Sequence, residues 1–261
     1  MRSVRGKCYT AGRIGYNPRA MANKRISHRG VSYAREAIAH LRDADPVLAR
    51  IIKAVGPIEI ALRRERFSAL SRAIIFQQLA GAAARTIHDR FVALFPGRRF
   101  PTPRQVLDAS PEDLRRVGLS RQKSLYLKDL AAHVDNGTLN FHRFHKMEDE
   151  EIIVDLTRVH GVGRWTAEMF LMFNLGRPDV LPVDDLGVRN AARRLYRMRK
   201  MPDAKRLRAL AERWRPYRSA ASWYLWRSGD IVLPGDASPK RRPSARRNSV
   251  RKKPGRKKNR S

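Results

Sequence analysis

The stretch LTRVHGVGRWTAEM (residues 156–169) places two glycines, one residue apart, between two apolar runs of helical spacing. Glycine permits positive φ and lets the backbone approach another molecule closely. A helix that begins directly after Gly163 turns its unpaired N–H groups and positive dipole end outward, an arrangement that binds phosphate. Arg164 adds a basic side chain beside it. A lone GxG is more often only a tight turn; here it lies between apolar helices in a strongly basic chain. About twenty residues further on, Asp184 and Asp185 precede the helical pattern LGVRNAARRLY. The N–H groups and dipole at a helix start keep a carboxylate ionised. Spacing alone reads Asp185 as an N-cap and Asp184 as a cap or a solvated neighbour. The seven histidines show no metal-ligand spacing: His142 and His145 are three apart with no third ligand evident, so no catalytic metal is expected.

The elements that must position these groups read as helices. Asp45-Pro46 is an N-cap with a first-turn proline, and Gly56 closes PVLARIIKAVG. Residues 67–95 are apolar at helical spacing, with a break near Gly81. Ser110-Pro111-Glu112-Asp113 resembles a capping box, and Gly118 ends that short helix. Ser120 caps RQKSLYLKDLAAHV, and residues 149–159 carry their acids in the first turn. Residues 203–214 and 217–228 give two more amphipathic helices around Pro216. Period-two alternation is scarce, and the expectation is roughly nine or ten helices in an all-α fold with little or no sheet.

Composition narrows the partner. The 261 residues hold 56 Lys+Arg against 24 Asp+Glu, a net charge of +32, which points to a polyanion, most often nucleic acid. Residues 1–29 carry eight basic residues and 237–261 twelve, neither with an acid, so 30–236 is basic in its own right. The C-terminal tail cannot bury apolar surface and is expected to be disordered; it reads as a DNA-holding arm, against a merely solubilising tail or a nuclear address. The basic N-terminal segment, residues 1–29, is expected to be disordered and leaves two readings open: a transit peptide, or an upstream extension of a start at Met21. One cysteine, Cys8, excludes a disulfide framework, a cysteine-rich zinc site and a cluster held by four cysteines. No uncharged apolar window of 18 residues exists, so no membrane span is expected.

Five motifs in order carry a family resemblance: AIIFQQLA (73–80), GLSRQK (118–123), VHGVGRWTAE (159–168), LPVDDLGVRN (181–190) and ERWRPYRS (212–219). They resemble the helix-hairpin-helix DNA glycosylase superfamily, and within it the AlkA/MAG-type 3-methyladenine DNA glycosylases. The likeness covers about residues 33–230. It implies two helical lobes with a cleft between them. Only some thirty residues precede the first helix, so the N-terminal β domain of bacterial AlkA is not expected.

The resemblance also implies roles. Excision breaks an N-glycosidic bond through an oxocarbenium-like transition state that a carboxylate stabilises; the resemblance puts that carboxylate at Asp185. Trp165 and Trp226 match pocket tryptophans, which would hold a cationic alkylated purine by stacking and cation–π contact. Met169 and Leu186 stand where relatives carry pocket aromatics, so the pocket is expected to be less aromatic. Leu79 matches the wedge that fills the gap left by the flipped base, and Gln77 and Gln78 are DNA or pocket contacts. His160, Gly161, Val162, Gly163, Arg164 and Thr166 form the phosphate-gripping hairpin. Bifunctional relatives place a Schiff-base lysine at the position of Trp165; tryptophan implies a monofunctional hydrolase with water as nucleophile. Trp214 and Trp223 are assigned to packing. No cofactor is expected, although hairpins of this family can hold a monovalent cation through backbone carbonyls.

The implied partner is double-stranded DNA carrying damaged bases, met by a monomer in a nucleoid or a nucleus. The implied substrates are 3-methyladenine and 7-methylguanine. Two other readings stand beside it: a glycosylase of the same superfamily for oxidised or deaminated bases, and a noncatalytic hairpin DNA-binding protein.

Overall fold

The computed structural model describes residues 31–97 and 100–231. The basic segments 1–29 and 237–261 lie outside the described residues. Those described form twelve α-helices and no β-strand: α1 Ala34–Ala44, α2 Pro46–Val55, α3 Arg66–Phe76, α4 Gly81–Ala93, α5 Pro103–Asp108, α6 Pro111–Arg116, α7 Arg121–Asp135, α8 Asp149–Thr157, α9 Arg164–Phe170, α10 Leu186–Leu195, α11 Ala204–Ala211 and α12 Arg218–Arg227. The count exceeds the expected nine or ten. α5, only six residues long, carries a full capping box in which Thr102 and Gln105 satisfy each other's backbone.

The predicted punctuation holds elsewhere. Asp45 caps α2, Ser110 caps α6 and Ser120 caps α7, each side chain accepting from backbone N–H groups of the first turn. The apolar run 67–95 breaks at residues 77–80, just before Gly81, into α3 and α4. After α9 the chain widens into a π-helical turn, Leu171–Leu175, which ends at left-handed Gly176.

Apolar side chains collect into two cores. One is built from α3 to α9 and holds Leu70, Ile74, Phe91, Leu127, Leu156 and Phe170. The other joins the two ends of the chain, α1 and α2 with α10 to α12, around Leu41, Ile51, Val188, Trp214 and Tyr224. The protein therefore has a middle lobe and a terminal lobe. Phe173 and Trp226 pack against both. The crossing segments are stitched together: Arg63 N–H donates to Phe173 O at 3.0 Å, and Asn174 Nδ2 donates to Arg63 O at 3.1 Å. Ser219 Oγ, at the start of α12, donates to Arg177 O and accepts from Val180 N, fixing the strap that leads to Asp185. Trp214 and Trp223 are buried in the terminal core, as their assignment to packing requires.

Candidate active site at the lobe junction

Asp185 is the last residue before α10. Its Oδ1 accepts from Val188 N at 2.8 Å, which makes it the N-cap. The same oxygen accepts from Trp226 Nε1 at 2.8 Å, and Oδ2 accepts from Trp165 Nε1 at 2.7 Å. Three helices thus converge on one carboxylate: α10 carries it, α9 supplies Trp165 and α12 supplies Trp226. The cap and the functional reading, alternatives in the sequence, coincide in one side chain. Asp184 is exposed, a solvated neighbour rather than the cap.

The carboxylate is only 7 % exposed. It is bound by three donors, one of them at the positive end of a helix. A carboxylate offers about four lone-pair sites. Oδ1 has two donors and Oδ2 one, so Oδ2 retains the remaining acceptor capacity. Gly187 makes the arrangement possible: a Cβ there would lie 2.9 Å from Trp226 Cδ1 and 3.0 Å from Asp185 Oδ1. Sequence reasoning missed Gly187; its signal was a glycine one position into a helix, where propensity disfavours it.

The predicted pocket residues separate. Trp165 and Trp226 are half-buried and are brought to Asp185, edge first, through their indole N–H groups. Phe173 lies against Trp226, ring centroids 6.0 Å apart. Met169 packs against the middle-lobe core. Leu186 is exposed at 42 %.

The hairpin joins α8 to α9. Gly161 takes φ +83°, and a Cβ on it would come within 2.2 Å of the Tyr126 ring, so only glycine fits. The first backbone bond of α9 runs from Ala167 N to Gly163 O, leaving the N–H groups of the first turn without helical partners. Val162 and Thr166 are buried and anchor the turn. His160 is exposed, and both its backbone N–H and its Nδ1 meet Asp129 Oδ2; these contacts hold the Asp129 carboxyl below its ordinary value against its partial burial. Arg164, the basic side chain beside the turn, is paired with Glu150 through both guanidinium ends and with Glu168 at 3.1 Å. The hairpin thus offers backbone rather than side-chain donors.

The loop that carries Leu79 is tied to the same hairpin. Gln77 Nε2 donates to Gly161 O at 2.7 Å, which places Gln77 against the hairpin. Lys123 Nζ donates to the carbonyls of Ile75 at 2.6 Å and Gln77 at 2.7 Å, closing the end of α3. Gln78 adopts φ +56°, and Leu79 follows with 38 % of its surface exposed. Sequence reasoning quoted GLSRQK as a motif without a role for Lys123; the structure supplies one.

Fold and site together define a helix-hairpin-helix protein with a buried carboxylate at the meeting of two helical lobes. The chain belongs to the HhH-GPD superfamily of base excision DNA repair proteins, whose pattern it matches over residues 71–216. It is 36 % identical over 206 residues to DNA-3-methyladenine glycosylase 1 of Schizosaccharomyces pombe, covering 77 % of this chain and 90 % of that protein. Among solved structures, the S. pombe 3-methyladenine DNA glycosylase in complex with abasic DNA superposes with a TM-score of 0.67 at 35 % identity, over 76 % of this chain and 98 % of the other. The DNA-3-methyladenine glycosidase of Bacillus halodurans gives 0.69 at 34 %, over 77 % and 92 %.

Proposed function

We propose that the protein is a monofunctional DNA glycosylase that releases alkylated purines, 3-methyladenine foremost, from double-stranded DNA in base excision repair. The observation that carries this reading is the Asp185 carboxylate, fixed by hydrogen bonds from Val188 N, Trp165 and Trp226 at the junction of the lobes.

The hairpin N–H groups hold a backbone phosphate, which carries no sequence information and sets register. Leu79 enters the stack as the target nucleotide leaves it. Carbon–nitrogen cleavage leaves positive charge on the sugar, and Asp185 Oδ2, the oxygen with acceptor capacity to spare, faces that charge or the incoming water. The carboxylate needs no reorganisation, because both indoles already fix it. An alkylated purine is itself cationic, so it leaves without a strong general acid, and the electron-rich rings beside Asp185 favour it. Position 165 is a tryptophan, which cannot form a Schiff base, so no strand cut accompanies base loss. Carboxylate, indoles, hairpin and wedge all come from one chain, and the reading requires neither a second copy nor a cofactor. No helix among the described residues is long and apolar enough to cross a membrane.

Base release from a methylated duplex, with wild type beside Asp185→Asn, tests the reading. Release of 3-methyladenine by the wild type alone, with strand scission only after alkali, is expected. Binding of DNA by both proteins with no methylated base released by either overturns it.

A further inference from the structure

Beside the wedge loop lies a concentration of arginine that the hairpin does not use. Arg72 of α3 lays its guanidinium flat over the Phe76 ring, 3.7 Å from the centroid, instead of extending into water. Burial, together with the charges of Arg63 and Arg85, pushes its pKa down to about 10. Arg85 of α4 is exposed and folds back along its own helix, with Nη1 3.7 Å from where a Cβ on Gly81 would stand. Cations are disfavoured at that end of a helix. One carboxylate, Asp89, reaches the group; it is 80 % exposed and bonded to His88. No ion pair engages Arg72 or Arg85 among the described residues, whereas Arg104 and Arg116 of the same lobe are paired with aspartates. Like charges gathered this closely cost stability unless an anion shares them. The surface between the cluster and Leu79 is open: Gln78 through Ala83 are all exposed, and four of those six residues are alanine or glycine.

We propose that Arg72 and Arg85, with Arg63 beside them, form a second phosphate site that holds the DNA backbone next to the wedge residue Leu79. The site rests on the reading of the protein as DNA-binding, and its two anchors differ in kind. Hairpin N–H groups fix one phosphate from the backbone, while the arginines grip a phosphate through side chains on α3 and α4. Held at both places, the strand is clamped across the point where Leu79 enters. The bidentate geometry of guanidinium suits phosphate oxygens, and the Phe76 ring keeps Arg72 from collapsing onto a carboxylate elsewhere.

The test is duplex binding at several salt concentrations by wild type and by the double variant Arg72→Met/Arg85→Gln. Methionine retains the packing over Phe76 while the charge is lost. Arg104→Gln/Arg116→Gln is the charge-matched control. The cluster variant is expected to bind about tenfold more weakly near 0.1 M salt, with the slope of log affinity against log salt smaller by about 1–2. Its melting temperature is expected to be equal or higher. A salt slope no different from that of the control overturns the inference. Failure of the wild type to release a methylated base overturns the excision reading and leaves this one standing, since binding to undamaged duplex is the readout here.

Discussion

Two buried N-cap aspartates are bound by tryptophan, one inside the terminal core and one at the junction of the lobes, and the two have different fates. Asp45 caps α2 inside the terminal core. Its Oδ1 accepts from Val47 N and Leu48 N, and its Oδ2 from Tyr196 Oη at 2.6 Å and Trp214 Nε1 at 2.8 Å. All four acceptor sites are filled, and none of its surface is exposed. Burial and the adjacent carboxylate drive the Tyr196 phenol well above its ordinary pKa, so the bond is fixed as hydroxyl to carboxylate. Asp185 has the same cap geometry and two indoles, yet one acceptor site is left over and a sliver of surface remains. A cap with donors to spare is structure; a cap one donor short, at the edge of two lobes, is available to a substrate.

Paired substitutions separate these roles most sharply. Asp185→Asn is expected to cut single-turnover excision by about 10²–10³-fold or more, the cost of removing a preorganised electrostatic group, while DNA affinity holds. Asp45→Ala removes a cap and strands a phenol and an indole in a dry core, for a loss of about 3–5 kcal/mol. Denaturant unfolding and excision assays on both variants check the contrast. Comparable loss of excision per folded molecule in Asp45→Ala would erase the distinction between the two aspartates.

Gly187→Ala sharpens the same contrast from the second ring of residues. The added methyl pushes the Trp226 ring off Asp185 Oδ1, while alanine's better helix propensity contributes about 0.5–1 kcal/mol in the opposite direction. Excision is expected to fall by about ten- to a hundredfold with little change in melting temperature. Equal activity in the variant would mean that the Trp226 bond to Asp185 does not matter for the reaction.

Much of this was legible because it is local. Caps, first-turn prolines and glycine stops are properties of four or five consecutive residues, and Asp45, Ser110, Ser120 and Gly161 all act as their neighbours in sequence dictate. Direction of a side chain was not legible. Trp165 and Trp226 read as rings to stack on, and the structure turns their N–H edges to Asp185. Arg164 read as a basic side chain beside the hairpin, and its pairing with two carboxylates from α8 and α9 was not legible. Each depends on which helices meet, and a residue's own spacing carries no record of that. The family motifs helped because they mark several of the meeting points at once: Lys123 in one, Gln77 in another and Gly161 in a third are tied together by hydrogen bonds between α7, the wedge loop and the hairpin, with Tyr126 packed over Gly161.

A third buried carboxylate tests the comparison where it is weakest. Glu168, one turn beyond Trp165 on α9, is buried as deeply as the two aspartates but caps no helix. Without backbone N–H donors, burial pushes its carboxyl up to about 7, against the pull of Arg164 and with a further push from Asp184 and Glu150. In the folded protein it therefore keeps a proton that the unfolded chain gives up near 4.5, so it favours folding at low pH and that contribution is lost as pH rises from about 4.5 through 7. Glu168→Gln removes this titration. Relative to the variant, wild type is expected to lose on the order of 1–2 kcal/mol across that window, a few degrees of melting temperature. Parallel stability curves for the two proteins would mean that Arg164 holds Glu168 ionised throughout, and that an ion pair can stand in for the helix N-terminal donors that Asp185 has and Glu168 lacks.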